Sequence, residues 1–380
     1  MLWAGAGLGL YFTTLAYNIY ISSVLGFLLQ LEPLPTSWDA EERSSLRRLL
    51  PGPAQWILPE DVHNLRRSLG FPAEFADLRE VSLAARLRVH YREAQTTGGL
   101  RINAKVAELR ATRASTDYHR RLAGRSQWYG SSFAEHVHGA VQECRAMGIT
   151  IRDLEADLTG GMPLPLTRSA DRRLRQGLLR ATRTALCSNH AGLQYESRLR
   201  HKLERWKCGL FPRIKAMRAR LVSLRFRRLL PPRVCSAILR TWFNGWCSHR
   251  RFQGHGPCIL GCGRGEDSIE HYALCKFTGE LGANLLALPR QHMQRPDVKT
   301  RRFLLLEGGS ALNDDLLIRT ALLTAVIYRL HCQHRRGPPL EDWRTVRTAG
   351  RQALHELVGG HARATAAVEG AFVARATSAL

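Results

Sequence analysis

Lysine is nearly missing from this 380-residue chain: of 56 cationic side chains, 50 are arginine and six are lysine. Acidic residues are also short, 32 in all, which leaves a formal charge of +24. Guanidinium is a planar fork of donors that matches phosphate oxygens, so an arginine excess points to a polyanionic partner more than to simple solubility. The sequence has no Gly-x4-Gly-Lys-Ser/Thr phosphate loop, no Gly-x-Ser-x-Gly elbow, no His-Glu-x2-His pair and no hairpin aromatic-x-Asp-Asp. The enzyme classes built on those motifs therefore have no foundation here. Internal repeats and runs of alternating strands are also missing. With 44% hydrophobic and 23% charged residues, the composition excludes a disordered chain, and the length excludes a small disulfide-stapled scaffold. Two or three folded units, mostly α, are expected.

Charge is absent altogether from residues 1–31, which as a helix would be long enough to cross a bilayer. The stretch also holds Thr13, Thr14, Asn18, Ser22, Ser23 and Gln30 with Gly5, Gly7, Gly9 and Gly26, and it lacks the basic flank of a signal peptide. Two readings stay open. One is a single-pass anchor over residues 2–29 with a basic body on the cytoplasmic side; the other is buried helices that cover a neighbouring domain.

Further along, Pro59 with Glu60 and Asp61 opens a helix that Gly70-Phe71-Pro72 closes, and helical stretches follow from Phe75 to Arg92 and from Ile102 to about Leu109. Residues 32–164 read as a helical connector. Between 165 and 251 there are 22 cations and three acids, Asp171, Glu196 and Glu204, so this quarter of the chain carries +19 of the +24. Within residues 165–230 two amphipathic helices are expected. One sets Arg172, Arg173, Arg180 and Arg183 off an apolar stripe; the other flanks its stripe with Arg218, Arg220, Arg225, Arg227 and Arg228 and stops at Pro231-Pro232. Residues 281–380 form a C-terminal helical region. In it Asn313 to His334 is a buried helix, ended by Gly337-Pro338-Pro339, and one or two further helices run from Trp343.

Nine cysteines are an odd number, and three of them cluster with a histidine as Cys258-x3-Cys262-x8-His271-x3-Cys275. Three thiolates and one imidazole in this spacing fit tetrahedral Zn2+. Gly261 and Gly263 allow a tight knuckle, and Ser268 can cap a helix that carries His271 and Cys275. Cys247 or His255 could replace one of the four. A closed donor set of this kind makes the metal structural. Free thiols that bind metal suit a reducing compartment, the nucleus or the cytoplasm. Just upstream, Trp242, Phe243 and Trp246 stand beside Arg250-Arg251-Phe252. Aromatics interleaved with arginines suit base stacking, but a small core beside the metal is the favoured reading for the three upstream rings.

Other tempting residues are set aside. His136-x-His138 diverge on a helix, and His331 with His334 fit the C-terminal end of a buried helix, where positive charge is welcome. Asp314-Asp315 sit at a helix start, where acids belong, and Pro296-Asp297 with Lys299 lacks the remainder of a nuclease motif.

The order Trp242, Trp246-Cys247, Arg250-Arg251-Phe252, Cys258, Cys262, Glu266-Asp267-Ser268, His271, Cys275 resembles the zinc-binding region downstream of the polymerase in non-LTR retrotransposon reverse transcriptases. The specific part covers about residues 231–275, within a zinc module of 231–280. More loosely, Tyr17-Asn18-x-Tyr20 with Leu25-x-Phe27 and Gln30-Leu31 resembles the passage from palm into thumb and connector helices. The resemblance implies that residues 1–31 pack on a polymerase palm domain missing from this chain, and that the basic middle and Arg250 and Arg251 hold RNA or DNA. The fingers, the palm and the catalytic aspartates of that family have no counterpart, so the resemblance implies no polymerase activity for this chain alone and no catalytic residue in it.

Overall fold

The computed structural model describes residues 9–29, 34–35, 37–50, 52–53, 56–97, 133–146, 176–179, 197–201, 204, 225–226, 228–289, 296–305 and 314–378. The protein is mostly helical, and among the described residues the one extended pairing is a lone antiparallel bridge between Pro257 and Glu266. The chain divides into two interleaved compact units. Residues 1–14, 44–74 and 192–380 make one, and residues 15–43 and 75–191 make the other.

The first apolar stretch is one interrupted helix: α1 (Gly9–Ala16), a π-helical segment (Tyr17–Ser22) and α2 (Ser23–Leu28). Its polar residues are used locally. Thr13 and Thr14 donate to the carbonyls of Gly9 and Leu10, Tyr17 donates to Glu42 at 3.0 Å, and Asn18 accepts from the Ala76 amide at 2.8 Å. Among the described residues no helix is long and apolar enough to cross a membrane.

The helix expected from Pro59 breaks in two, α4 (Pro59–Val62) and α5 (Leu65–Leu69), after α3 (Trp38–Leu49). Asp61 caps the first by accepting from the Leu58 amide, and Gly70 ends the second in the left-handed conformation at φ 59°. In the other unit α6 (Leu78–Thr97) starts three residues later than expected, and Arg86 on it pairs with Glu143 of α7 (Phe133–Ala146) at 2.8 Å. The helix expected over 102–109 lies outside the described residues.

In the larger unit the described helices from Pro232 onward surround one central helix. After α8 (Pro232–Trp242), α9 (Ile269–Leu274), α10 (Lys276–Leu286) and α11 (Pro296–Phe303) comes α12 (Asp314–His334), followed by α13 (Trp343–Val358) and α14 (Ala362–Ser378). Leu317, Ala321, Leu322, Ala325, Ile327 and Leu330 of α12 are fully or almost fully buried, because α8, α10, α11, α13 and α14 all pack on it. This is the buried helix expected from Asn313. Its opening acids are engaged: Asp314 pairs with Arg225, and Asp315 with Arg319 at 2.8 Å.

Candidate metal centre

Residues 256–276 fold into a knuckle and a short helix because backbone bonds close the loop on itself. The Cys258 amide donates to the Gly265 carbonyl, that of Asp267 to Gly256, and that of Gly261 back to Cys258, each at 2.9 Å. Gly261 and Gly263 turn through positive φ, 66° and 70°, where an L side chain is strained. Ser268 then caps α9 by accepting from the His271 amide at 3.1 Å. Cys275 lies just past the end of α9, at the extended junction with α10 (φ −59°, ψ 134°), and not on the helix as the four-residue spacing suggested.

This geometry brings Cys258, Cys262, His271 and Cys275 together, with ligand atoms all within 4.8 Å of one another. Cys258 Sγ stands 4.0 Å from Cys275 Sγ, and Cys262 Sγ 3.2 Å from His271 Nε2. Zinc–sulfur and zinc–nitrogen bonds of about 2.3 and 2.0 Å put tetrahedral donors roughly 3.5–3.8 Å apart. The donor set and its dimensions therefore fit a divalent zinc ion.

The electrostatics agree with such a fit. Backbone amides of Leu260, Arg264 and Thr278 face the sulfurs of Cys258, Cys262 and Cys275. Cys275 is drawn down to about 4 by the hydrogen bond from Cys258, against burial, with further help from His271. Cys258 is pushed up by that same bond and by burial. Negative charge thus gathers inside a buried cage, and a cation would bind the remaining thiols as thiolates. Cys247 and His255 stay outside the cluster, and the His255 side chain is exposed, 3.4 Å from Glu266.

Two glycines hold the knuckle in place. At Gly265 an added Cβ would lie 2.0 Å from His271 Nδ1, and at Gly261 1.7 Å from the Leu340 carbonyl oxygen. The Leu340 amide donates to Ile259 at 2.8 Å, so the loop is fastened to the segment between α12 and α13. Gly265→Ala should displace the His271 ring and weaken zinc binding by on the order of tenfold or more. Competition with a chromogenic chelator measures this, and wild-type affinity in the variant would refute the role given to Gly265.

Beneath the cage lies an aromatic floor. Trp242, Phe243 and Trp246 are buried, as the core reading expected. Trp242 Nε1 donates to the Leu304 carbonyl at 2.8 Å and Trp246 Nε1 to Thr241 Oγ1 at 3.0 Å. Trp246 packs on Tyr272, Tyr328 and His331, with ring centres 5.2–5.5 Å apart.

His331 lies in the last turn of α12, as expected. Its side chain is fully buried there, with Nε2 3.2 Å from Oδ1 of the fully buried Asp267. The alignment falls short of a hydrogen bond, so the contact is electrostatic. Asp267 also accepts from Tyr272 Oη at 2.7 Å and from the His249 amide at 2.8 Å and Nδ1 at 2.9 Å. Burial alone would raise the Asp267 carboxyl, but the His331 contact and the Tyr272 and His249 bonds outweigh it and hold it well below the usual carboxylate range. Burial alone would lower His331; Asp267 and Cys332 reverse that and raise it.

Of the arginines expected to contact nucleic acid, Arg172, Arg173, Arg180, Arg183, Arg218, Arg220 and Arg227 lie outside the described residues. Arg225 is paired with Asp314, and Arg228 is largely exposed 3.9 Å from the same carboxylate. Arg251 donates to the Asn244 carbonyl, and Arg250 is exposed on a 3-10 turn beside exposed Phe252. His136 and His138 fall on α7. No family model, no curated protein and no solved structure matches the chain.

Proposed function

We propose that this chain is a nucleic-acid-binding protein organised by a structural zinc centre, the C-terminal part of a non-LTR retrotransposon type of reverse transcriptase without its own polymerase site. The observation that carries the reading is the closed Cys258, Cys262, His271, Cys275 cage, at the spacing and with the flanking Trp246-Cys247 and Glu266-Asp267-Ser268 that suggested the resemblance. Zinc here would supply folding energy, since three sulfurs and one nitrogen complete a tetrahedron and leave no open position for chemistry. The +19 between residues 165 and 251 supports a polyanionic partner, RNA or DNA. The described cysteines are all free, which supports the nucleus or cytoplasm as the compartment.

Binding through arginine and phosphate releases counterions. With roughly six to ten phosphates contacted, affinity should fall by about 10³ to 10⁵ between about 50 and 200 mM salt. Filter binding of the whole chain to single-stranded RNA and DNA across that range measures the slope. A flat response, or no retention at low salt, would falsify this function.

A further inference from the structure

Beside the metal centre Arg251 is held by the Asn244 carbonyl, whereas Arg250 and Arg264 are exposed. A longer row of exposed cations lies on α13. Arg344, Arg347, Arg351 and His355 are exposed and follow one another at spacings of three, four and four residues. At 3.6 residues per turn these positions fall within an arc of about 80°, with roughly 4.5–6 Å of rise between successive members. Val346, Gly350, Ala353 and Leu357 are buried on the opposite side.

Helix stability does not account for this row. α13 has no acid in its first turn, where the dipole favours one, and Arg344 and Arg347 crowd that positive end instead. Like charges three and four residues apart repel. Asp342, just before the helix, is used as its cap by accepting from the Thr345 amide. Glu356 lies off the arc and bonds Arg329 and Gln352. The platform itself is rigid: Gly350 lets α13 approach so closely that an added Cβ would stand 2.7 Å from Leu281 Cδ2, and Trp343 packs on Phe277 with ring centres 5.7 Å apart.

We infer that the exposed face of α13, with Arg344, Arg347, Arg351 and His355, is a docking surface for the phosphodiester backbone of a nucleic-acid strand. The inference rests on the nucleic-acid reading above and locates a contact outside the +19 segment. Charge complementarity selects the partner. The rise between members is comparable with the step between phosphates along a strand, and guanidinium forks match phosphate oxygens. The arc carries no large apolar side chain that could enter a bilayer.

The test compares the whole wild-type chain with Arg344→Gln/Arg347→Gln/Arg351→Gln and with a control that loses the same charge at exposed Arg47, Arg66 and Arg67. The probe is a single-stranded RNA, with the DNA of the same sequence as a second arm, titrated across salt. Three lost contacts should lower the salt slope by about 2, and weaken binding at about 0.1 M salt on the order of tenfold to a hundredfold. The control should change far less, the corresponding lysine triple should retain most of the slope, and helical circular dichroism should be unchanged. Equal losses in both triples, or no loss in the α13 triple while wild type binds, would overturn this surface and leave the general function standing. Failure of wild type to bind either strand would sink both. Loss confined to anionic vesicles or polyglutamate, with nucleic-acid binding intact, would also overturn the surface.

Discussion

Cys258→Ser/Cys262→Ser should abolish zinc binding and unfold the region around the knuckle, whereas the wild-type chain should carry one zinc. Two of four ligands are lost from a cage whose remaining members, His271 and Cys275, are held by the loop that the metal closes. The apparent binding free energy of structural zinc is about 10–16 kcal/mol near neutral pH and is coupled to folding. That is as large as the whole stability of a typical domain, about 5–15 kcal/mol. Elemental analysis gives the metal. Trp246 gives the fold, since it packs on Tyr272, the residue next to His271. Wild type treated with a chelator should show the same change in tryptophan emission, and zinc should reverse it. A metal-free wild type with a native emission spectrum would remove the zinc centre from the account.

Asp267→Asn should be the most damaging single change away from the ligands, at about 3–5 kcal/mol, because it leaves His331 buried without its counter-charge. Both side chains are fully buried, so solvent does not screen the loss. The pH dependence follows from the two opposite shifts. Asp267 titrates lower in the folded chain than its unfolded value of about 3.9, so its contribution is present above that value and is lost as pH falls through the folded one. His331 titrates higher than its unfolded value of about 6.5, so its contribution is complete below that value and is lost as pH rises through the folded one. Denaturant titration should therefore find the widest gap between wild type and variant from about pH 4 to 6.5, narrowing on either side. Asp267→Asn combined with His331→Leu should recover much of the loss, since replacing both members removes the stranded charge. A gap that is constant across pH would show that the pair is not the source of the effect.

Local chemistry made parts of this arrangement readable from the residues alone. The Ser268 cap and the apolar run after Asn313 mark helices because each acts within one or two turns of itself, whereas Pro231-Pro232, read as a helix stop, also opens α8. The ligand set was legible for the same reason: the knuckle and α9 are consecutive, so spacing along the chain maps onto spacing around the metal. Asp267 and His331 were not legible. On its own helix His331 looks like a terminal cation, and only the packing of α12 against the knuckle gives it a partner. The face of α13 was hidden differently, since three arginines spread through an alanine-rich tail do not register as a charge cluster until the helix aligns them. The break between α4 and α5 was missed because no glycine or proline marks His63 and Asn64.

The bond from Leu340 to Ile259, with Gly261 seated under the Leu340 carbonyl, makes the knuckle part of the scaffold and not a detachable finger. Opening the loop must also release the linker between α12 and α13, and with it the wall that His331 and Tyr328 present to Trp246. In hydrogen–deuterium exchange the amides of Cys258, Gly261 and Leu340 should therefore leave protection together, at the opening energy of the α12 core, as one cooperative unit.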